Sequence, residues 1–129
     1  MMKESEDMRF NENNEAAPID IMKELLRFKN AKKLAAEQLL ELYEKVFSDI
    51  GEEGASIIMA YQAMLEDPEF IDEIKTRIKE EGMTAENAVA STAERLETFI
   101  GDLDDEYMKA RRNDIKDVAG RLIECLQGI

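Results

Sequence analysis

The sequence predicts an all-α fold, a four-helix bundle of two antiparallel helical hairpins whose second helix is kinked at Asp67-Pro68. Apolar residues recur at spacings of three and four, which is the repeat of one helix face. No segment alternates strictly between apolar and polar residues, as a half-buried strand would. Glycine, proline and capping residues divide the chain into helix-length segments with short connections, and short connections favour antiparallel neighbours.

The first 18 residues have no apolar period, so we expect a disordered or frayed N-terminal arm that ends at Pro18, a suitable helix entrance. Residues 19–129 then form one domain. Its first helix is predicted from about Ile19 to Asp49, with Gly51 as the left-handed residue that ends it. The inward stripe is Leu25, Phe28, Ala31, Ala35, Leu39, Leu42 and Val46, widened by Leu26, Leu34, Leu40, Tyr43 and Phe47.

The second helix starts near Glu52 and differs from the others in two ways. Between Ile57 and Leu65 only Gln62 is polar, and from Glu52 to Ile74 seven acidic side chains occur with no basic one. A helix that is apolar nearly all round is normally covered on more than one side. An inner stripe of Ile58, Tyr61 and Leu65 suits the core. The surplus apolar residues, which a basic protein could cover, are Ile57, Ala60, Ala63, Met64 and Phe70.

Proline ends this helix at Asp67-Pro68, because it lacks an amide donor and clashes with the preceding turn. Asp67 can cap the next segment, with Pro68 at its first position and Gly82 at its end. Thr84 is the predicted N-cap of the third helix, and Gly101 ends it. The third helix turns Ala88, Thr92, Leu96 and either Phe99 or Ile100 inward. Asp102 or Asp104 caps the fourth, whose inner face is Tyr107 or Met108, Ile115, Val118, Leu122, Cys125 or Leu126, and Ile129.

Composition narrows the possible functions. The net charge of −13 disfavours nucleic acid and anionic membranes as partners and favours a basic protein. No apolar run in the sequence is long enough to cross a bilayer. The single cysteine, Cys125, is expected to be a buried thiol in a reducing cytoplasm. It has no histidine, the usual general base and the commonest metal ligand.

No catalytic pattern emerges, and we expect neither a cofactor nor a metal. A dinuclear metal bundle needs Glu-x-x-His pairs, which are impossible without histidine. The acids from Asp102 to Glu106 lack the spacing and central glycine of a calcium loop and suit helix capping better. The basic run Lys109, Arg111, Arg112 and Lys116 suits a solvated face that pairs with Asp105 and Asp114, although Arg111 could reach a partner.

Three segments resemble a known family: MLEDPEFIDEI, GMTAENAV and LDDEYMKARRNDIKDVAGRLI. In order and separation they are similar to the N-terminal helical domain of Enzyme I, the phosphoenolpyruvate-protein phosphotransferase of the bacterial sugar phosphotransferase system. The resemblance runs from about Ile19 to the C-terminus. It implies a helical bundle that docks the phosphocarrier protein HPr, whose active-site side is basic and apolar. It also implies that the chain alone is not an enzyme, because the phosphohistidine and phosphoenolpyruvate-binding domains of the family are missing.

By position, the resemblance implies fourteen partner-binding residues: Glu52, Glu53, Ser56, Tyr61, Ala63, Met64, Asp67, Glu69, Phe70, Ala93, Ile100, Leu103, Met108 and Arg111. Tyr61 stands where the family usually has histidine, and Ala63 where it has a larger residue. Because the other domains of the family are missing, the chain is expected to be a cut-out domain or a stand-alone relative. The alternative function is a helical interaction protein with a different partner, or one that associates with itself as a homodimer.

Overall fold

The structure, a computed structural model, describes residues 19–103 and 105–128. Four helices make up the described chain, which contains no strand: α1 (Ile21–Leu65), α2 (Pro68–Glu81), α3 (Ala85–Gly101) and α4 (Glu106–Gln127). The all-α prediction is confirmed. The predicted N-terminal arm, the candidate cap Asp104 and the candidate core residue Ile129 lie outside the described residues.

Gly51 divides α1 into a first segment, residues 21–50, and a second segment, residues 52–65. Its backbone has φ 86° and ψ −171°, a region open to glycine and costly for other residues. Lys32 Nζ contacts Glu66 Oε1 at 3.1 Å, although 34 residues of straight helix would separate them by about 51 Å. The chain therefore reverses near Gly51, and the two segments form the first predicted hairpin.

Short polar side chains set the start of each helix. Asp67 Oδ1 accepts a hydrogen bond from the Glu69 amide at 2.9 Å, and Thr84 Oγ1 accepts one from the Asn87 amide at 3.2 Å. Both caps are confirmed, as is the left-handed Gly82, with φ 67° and ψ 28°.

Two helix starts differ from the sequence prediction. The N-cap of α1 is Asp20, so the helix begins two residues after Ile19. The N-cap of α4 is Asp105, whose side chain accepts hydrogen bonds from the Tyr107 and Met108 amides. The expectation for Asp102 was therefore wrong, because Asp102 instead ends α3, where its amide donates to carbonyls of the last turn. Several neighbouring acids can each cap a helix, and local sequence does not choose among them.

One apolar core joins all four helices. The central residues of the first stripe are buried, with Phe28 at 1% exposure and Leu39 at 0%. Ile58 and Leu65 are buried as predicted, and on α3 it is Ile100, not Phe99, that turns inward. The proposed widening of the stripe was largely wrong. Its exposed members are Leu26, Leu34, Leu40 and Phe47.

A polar junction ties three helix ends together. Glu24 is buried in α1, and its Oε1 accepts hydrogen bonds from the Ala85 amide and from Arg27, each at 2.8 Å. Arg27 also pairs with Glu86 at 2.6 Å and donates to the Leu126 carbonyl at 3.2 Å. Glu24 thus satisfies an amide in the first turn of α3 that would otherwise be unpaired. None of the described helices is long and apolar enough to cross a membrane.

Candidate protein-binding site

A groove with a volume of about 380 Å³ opens where the end of α1 and the start of α2 face the second half of α3 and the first half of α4. One wall comes from α1, α2 and the turn between them: Ala63, Met64, Asp67, Glu69, Phe70 and Glu73. The other wall comes from α3 and α4: Arg95, Leu96, Phe99, Ile100, Met108, Arg111, Asp114 and Ile115. The groove therefore requires both halves of the bundle.

The break at Asp67-Pro68 positions the first wall. Asp67 caps α2 from outside the helix, Pro68 occupies its first turn, and the Asp67 amide donates to the Met64 carbonyl at 3.1 Å. These constraints hold Met64, at the end of α1, beside Phe70, in the first turn of α2. A proline that ends one helix thus places residues from two helices on the same wall.

The floor of the groove is apolar and part of it is core. Phe70, Ile100 and Ile115 are 3%, 8% and 6% exposed. Met64 and Met108 are half-buried above them. Phe99, at 59% exposure, stands at the edge. Unbranched methionine side chains can adapt to the contour of a partner, so the accessible part of this surface suits an apolar contact.

Carboxylates dominate the rim. Asp67 and Glu69 are exposed, and neither forms a salt bridge with another described residue. Glu73 is held by Arg95, whose Nε donates to Glu73 Oε2 at 2.8 Å. This hydrogen bond holds the pKa of Glu73 below its usual range, against the opposing effect of burial. A carboxylate already paired in this way contributes little net charge at the rim.

The second arginine of the groove is also compensated. Arg111 Nε lies 3.6 Å from Asp114 Oδ2, one turn further along α4. With four carboxylates and two guanidinium groups in its lining, the groove keeps a net negative charge. Asp67 and Glu69 supply that surplus, and both are exposed at the rim.

Eight of the fourteen predicted partner-binding residues lie in the groove: Ala63, Met64, Asp67, Glu69, Phe70, Ile100, Met108 and Arg111. One interpretation needs correction. Phe70 was assigned to an outer apolar set, but its ring is buried because α2 folds back onto the core. It shapes the floor, and the exposed aromatic ring is Phe99.

The other six predicted residues lie elsewhere. Glu52, Glu53 and Ser56 are exposed near the Gly51 turn, and Leu103 is half-buried after α3. Ala93 is 3% exposed and belongs to the core, which leaves a partner almost no surface to touch.

Tyr61 lines a separate depression with Asp117 and Arg121. Its hydroxyl donates to Asp117 Oδ2 at 2.6 Å. Burial, with this hydrogen bond, raises the pKa of Tyr61 to about 12.

Six residues of the groove were missed from the sequence: Glu73, Arg95, Leu96, Phe99, Asp114 and Ile115. Glu73 and Arg95 are 22 positions apart, and no local pattern pairs them. Phe99 could have been found from the sequence. The helical repeat allowed either Phe99 or Ile100 to face the core, so the other of the two had to face outward. No group of three or more acidic or cysteine side chains among the described residues could hold a metal ion.

The family model described as PEP-utilising enzyme, N-terminal, matches residues 3–111. The phosphoenolpyruvate-protein phosphotransferase of Bacillus sp. (strain S) is 34% identical over 113 residues, which cover 88% of this chain and 20% of that protein. The protein of the same name from Haemophilus influenzae is 33% identical over 106 residues, 82% of this chain and 18% of that protein. The chain therefore spans about a fifth of the length of these relatives.

Two solved structures of Enzyme I proteins also superpose on most of this chain. A solution NMR structure of an Enzyme I protein superposes with a TM-score of 0.81 at 35% identity, over 84% of this chain and 44% of that one. The N-terminal domain of nitrogen Enzyme 1 superposes with a TM-score of 0.79 at 26% identity, over 88% of this chain and 47% of that one.

Proposed function

The chain belongs to the PEP-utilising enzyme N-terminal family, and we therefore propose that its groove recognises a basic protein partner. We propose that this partner is the phosphocarrier HPr. The observation that carries the proposal is the convergence of eight predicted contact residues on one groove. These residues come from all four helices and from the turn at Asp67. The bundle brings them together although Ala63 and Arg111, the first and the last of them, are 48 positions apart.

Charge supports a basic partner. The chain carries a net charge of −13, and the groove adds exposed Asp67 and Glu69 to this general field. Opposite charges attract at long range and orient a partner before contact, which raises the association rate more than the final affinity. Because Arg95 and Arg111 are already paired with carboxylates of the groove, they oppose the approach of a cation only weakly.

Apolar contact supports binding after the encounter. Met64, Phe99 and Met108 offer accessible apolar surface above the buried floor of the groove. Desolvation of a few central apolar side chains usually contributes most of the affinity, while the surrounding charges contribute less. We therefore assign the dissociation rate mainly to Met64, Phe99 and Met108 and the association rate mainly to Asp67 and Glu69.

The proposed role of these residues is recognition without catalysis. The relatives are named for phosphotransfer from phosphoenolpyruvate, but the chain corresponds to only 18–20% of their length. Its sequence has no histidine to accept a phosphoryl group. We propose that the domain holds HPr in the cytoplasm for a phosphotransfer reaction of the sugar phosphotransferase system, whose catalytic groups belong to other parts of such proteins.

NMR titration of isotope-labelled HPr with the 129-residue chain tests the proposal. Saturable shifts on the basic face of HPr are expected. Met64→Asp should weaken binding at least tenfold, because it places a charge on the apolar centre. Met59→Asp is the matched control, since Met59 is 53% exposed on the same segment of α1 but outside the groove. No binding at about 1 mM, or equal loss in both variants, would refute the proposal.

Salt dependence tests the division between charge and apolar contact. Raising the ionic strength from about 0.1 to about 1 M shortens the Debye length from about 10 to about 3 Å. The association rate measured by stopped flow should fall strongly, and the dissociation rate should change little. The alternative function is that of a helical interaction protein with a different partner. Under that alternative, HPr should not bind, whereas the groove variants should still lose binding to the other partner.

A further inference from the structure

Arg95 lies between the groove and a second, more open depression, and it lines both of them. Glu94 and Thr98 of α3 and Arg77 of α2 also line the second depression. The Arg95 side chain is 50% exposed, and its guanidinium group is bound to Glu73, a carboxylate of the groove. Arg95 therefore has surroundings on two sides, and the structure shows it on the groove side.

Glu73 is bound by two arginines that hold it in different ways. Arg95 contacts both carboxylate oxygens, since its Nε donates to Oε2 at 2.8 Å and its Nη2 donates to Oε1. Arg77 lies one turn further along α2 and donates its Nε and Nη2 to Oε2 alone, at 3.3 and 3.2 Å. It does not line the groove, and its side chain is only 20% exposed. Arg77 would thus keep Glu73 charged and oriented if Arg95 moved away.

Arg95 can leave Glu73 at low cost. An ion pair with a half-exposed member contributes little to stability, because water competes for both groups. The exposed Glu94 forms no salt bridge with another described residue, and Thr98 carries a hydroxyl in the same depression. A carboxylate and a hydroxyl both accept hydrogen bonds from a guanidinium group. The second depression therefore offers Arg95 new partners when it leaves the groove.

The carboxylate left in the groove suits a planar cation. A guanidinium group binds a carboxylate through two parallel hydrogen bonds, which is the arrangement that Arg95 has on Glu73. Guanidinium is also more weakly hydrated than the ammonium group of lysine, so it enters a partly covered site more readily. A partner seated on Met64 and Phe99 would exclude water from the groove, and charges attract more strongly where water is excluded. An arginine of the partner would thus bind Glu73 more strongly than the half-exposed Arg95 does.

We propose that Glu73 is the position in the groove that binds an arginine of the partner, and that Arg95 occupies this position until the partner arrives. This inference rests on the proposed function, because it requires a basic protein in the groove. It makes Glu73 a specificity-determining residue, since a partner with lysine in place of that arginine should bind more weakly. It makes Arg95 an internal competitor that lowers the affinity for the partner.

NMR of arginine side chains tests the exchange in the labelled 129-residue chain. The Nε–H groups of Arg95 and Arg77 both donate to Glu73, so their signals report the two hydrogen bonds separately. Saturation with HPr should move the Arg95 signal towards that of a solvent-exposed arginine and change the Arg77 signal less. If HPr binds while both signals stay fixed, the exchange is refuted and the proposed function stands. If HPr does not bind, the proposed function fails and the exchange fails with it.

Two substitutions of equal charge separate competition from a general effect of charge. Arg95→Met should tighten HPr binding severalfold, because Glu73 is then open to the partner. Arg77→Met removes the same charge from the same carboxylate but outside the groove, so it should tighten binding less. Glu73→Gln, made in the Arg95→Met background, should weaken binding about tenfold, because the partner's arginine loses its carboxylate. Equal helicity by circular dichroism shows that each variant is folded. Equal effects of Arg95→Met and Arg77→Met, or no loss from Glu73→Gln, would overturn the proposal.

Discussion

Replacing Arg27 with methionine removes the cation at the junction of α1, α3 and α4. Arg27 Nη1 donates to Glu24 Oε1 at 2.8 Å and to Glu86 Oε1 at 2.9 Å, and Nη2 donates to Glu86 Oε2 at 2.6 Å. Methionine retains an unbranched apolar stem but none of these donors. Glu24, which is 7% exposed, would keep the hydrogen bond from the Ala85 amide and lose its counter-charge.

The expected cost lies between two limits. Removing one partner of a fully buried ion pair costs about 3–5 kcal/mol, and removing an exposed pair costs about 0–1 kcal/mol. The Arg27 and Glu86 side chains are 30% and 26% exposed, which screens their attraction, whereas the Glu24 side chain is 9% exposed. We expect Arg27→Met to lower the free energy of unfolding by about 2 kcal/mol at neutral pH.

The pH dependence has a definite sign. The hydrogen bond from Arg27 holds the pKa of Glu86 below its ordinary value of 4.5. A carboxylate whose pKa is lower in the folded state stabilises the protein above its unfolded pKa, and this stabilisation is lost as the pH falls through the folded value. The difference between wild type and Arg27→Met should therefore shrink below about pH 4.

Urea unfolding followed by circular dichroism at about pH 7 and about pH 3 measures both quantities. Lys32→Met is the control, since it breaks a 3.1 Å ion pair with Glu66, a residue whose side chain is 66% exposed. That variant should lose less than about 0.5 kcal/mol. Equal losses of stability in the two variants, or a loss in Arg27→Met that does not decrease in acid, would contradict the role assigned to Arg27.

Three further predictions concern single residues. Gly51→Ala should destabilise the protein by about 1–3 kcal/mol, because the φ of Gly51 is 86°. Gly120 lies on α4 with open space around it, so Gly120→Ala should stabilise the protein by about 0.5–1 kcal/mol. Chemical unfolding of both variants compares these effects. Thr92→Val should stabilise by about 1 kcal/mol in thermal unfolding, because Thr92 Oγ1 is buried without a hydrogen-bond partner among the described residues, and a loss of stability would show that the hydroxyl is satisfied. Since the pKa of Tyr61 is raised to about 12, the contribution of Tyr61 to the free energy of unfolding is complete below the ordinary pKa of 10.0 and is lost as the pH rises through about 12. Tyr61→Phe should not show this loss of stability in alkali. Unfolding measured across that pH range compares the two proteins.

Local chemistry predicted most helix limits. The breaks at Gly51, Asp67-Pro68 and Gly82 follow from backbone preferences of single residues, and the structure confirms each. The start of α4 was missed, since three nearby aspartates, Asp102, Asp104 and Asp105, each have a side chain that suits an N-cap. Which one caps the helix depends on where α4 packs against α3, and that is a property of the bundle.

The lining of the groove was predicted less completely than the fold. Residues close in sequence, such as Met64 and Glu69, were found because an acidic and over-apolar stretch is visible in a single helix. Arg95 and Glu73 were not found, because their contact joins two helices with no shared sequence pattern. Tyr61 was assigned to the partner surface, yet its hydroxyl is bound to Asp117 of α4, in a different depression.

By itself the sequence determined the all-α class, the positions where the chain turns and the identity of the central stripe, since these depend on short-range backbone preferences and on helical periodicity. Only the tertiary structure decided which apolar residues are covered. Phe70 is buried and Phe99 is exposed, and the α1 residues Leu26, Leu40 and Phe47 remain outside the core. A helix with two apolar faces does not specify which face its own chain will cover, because that depends on the helices it meets.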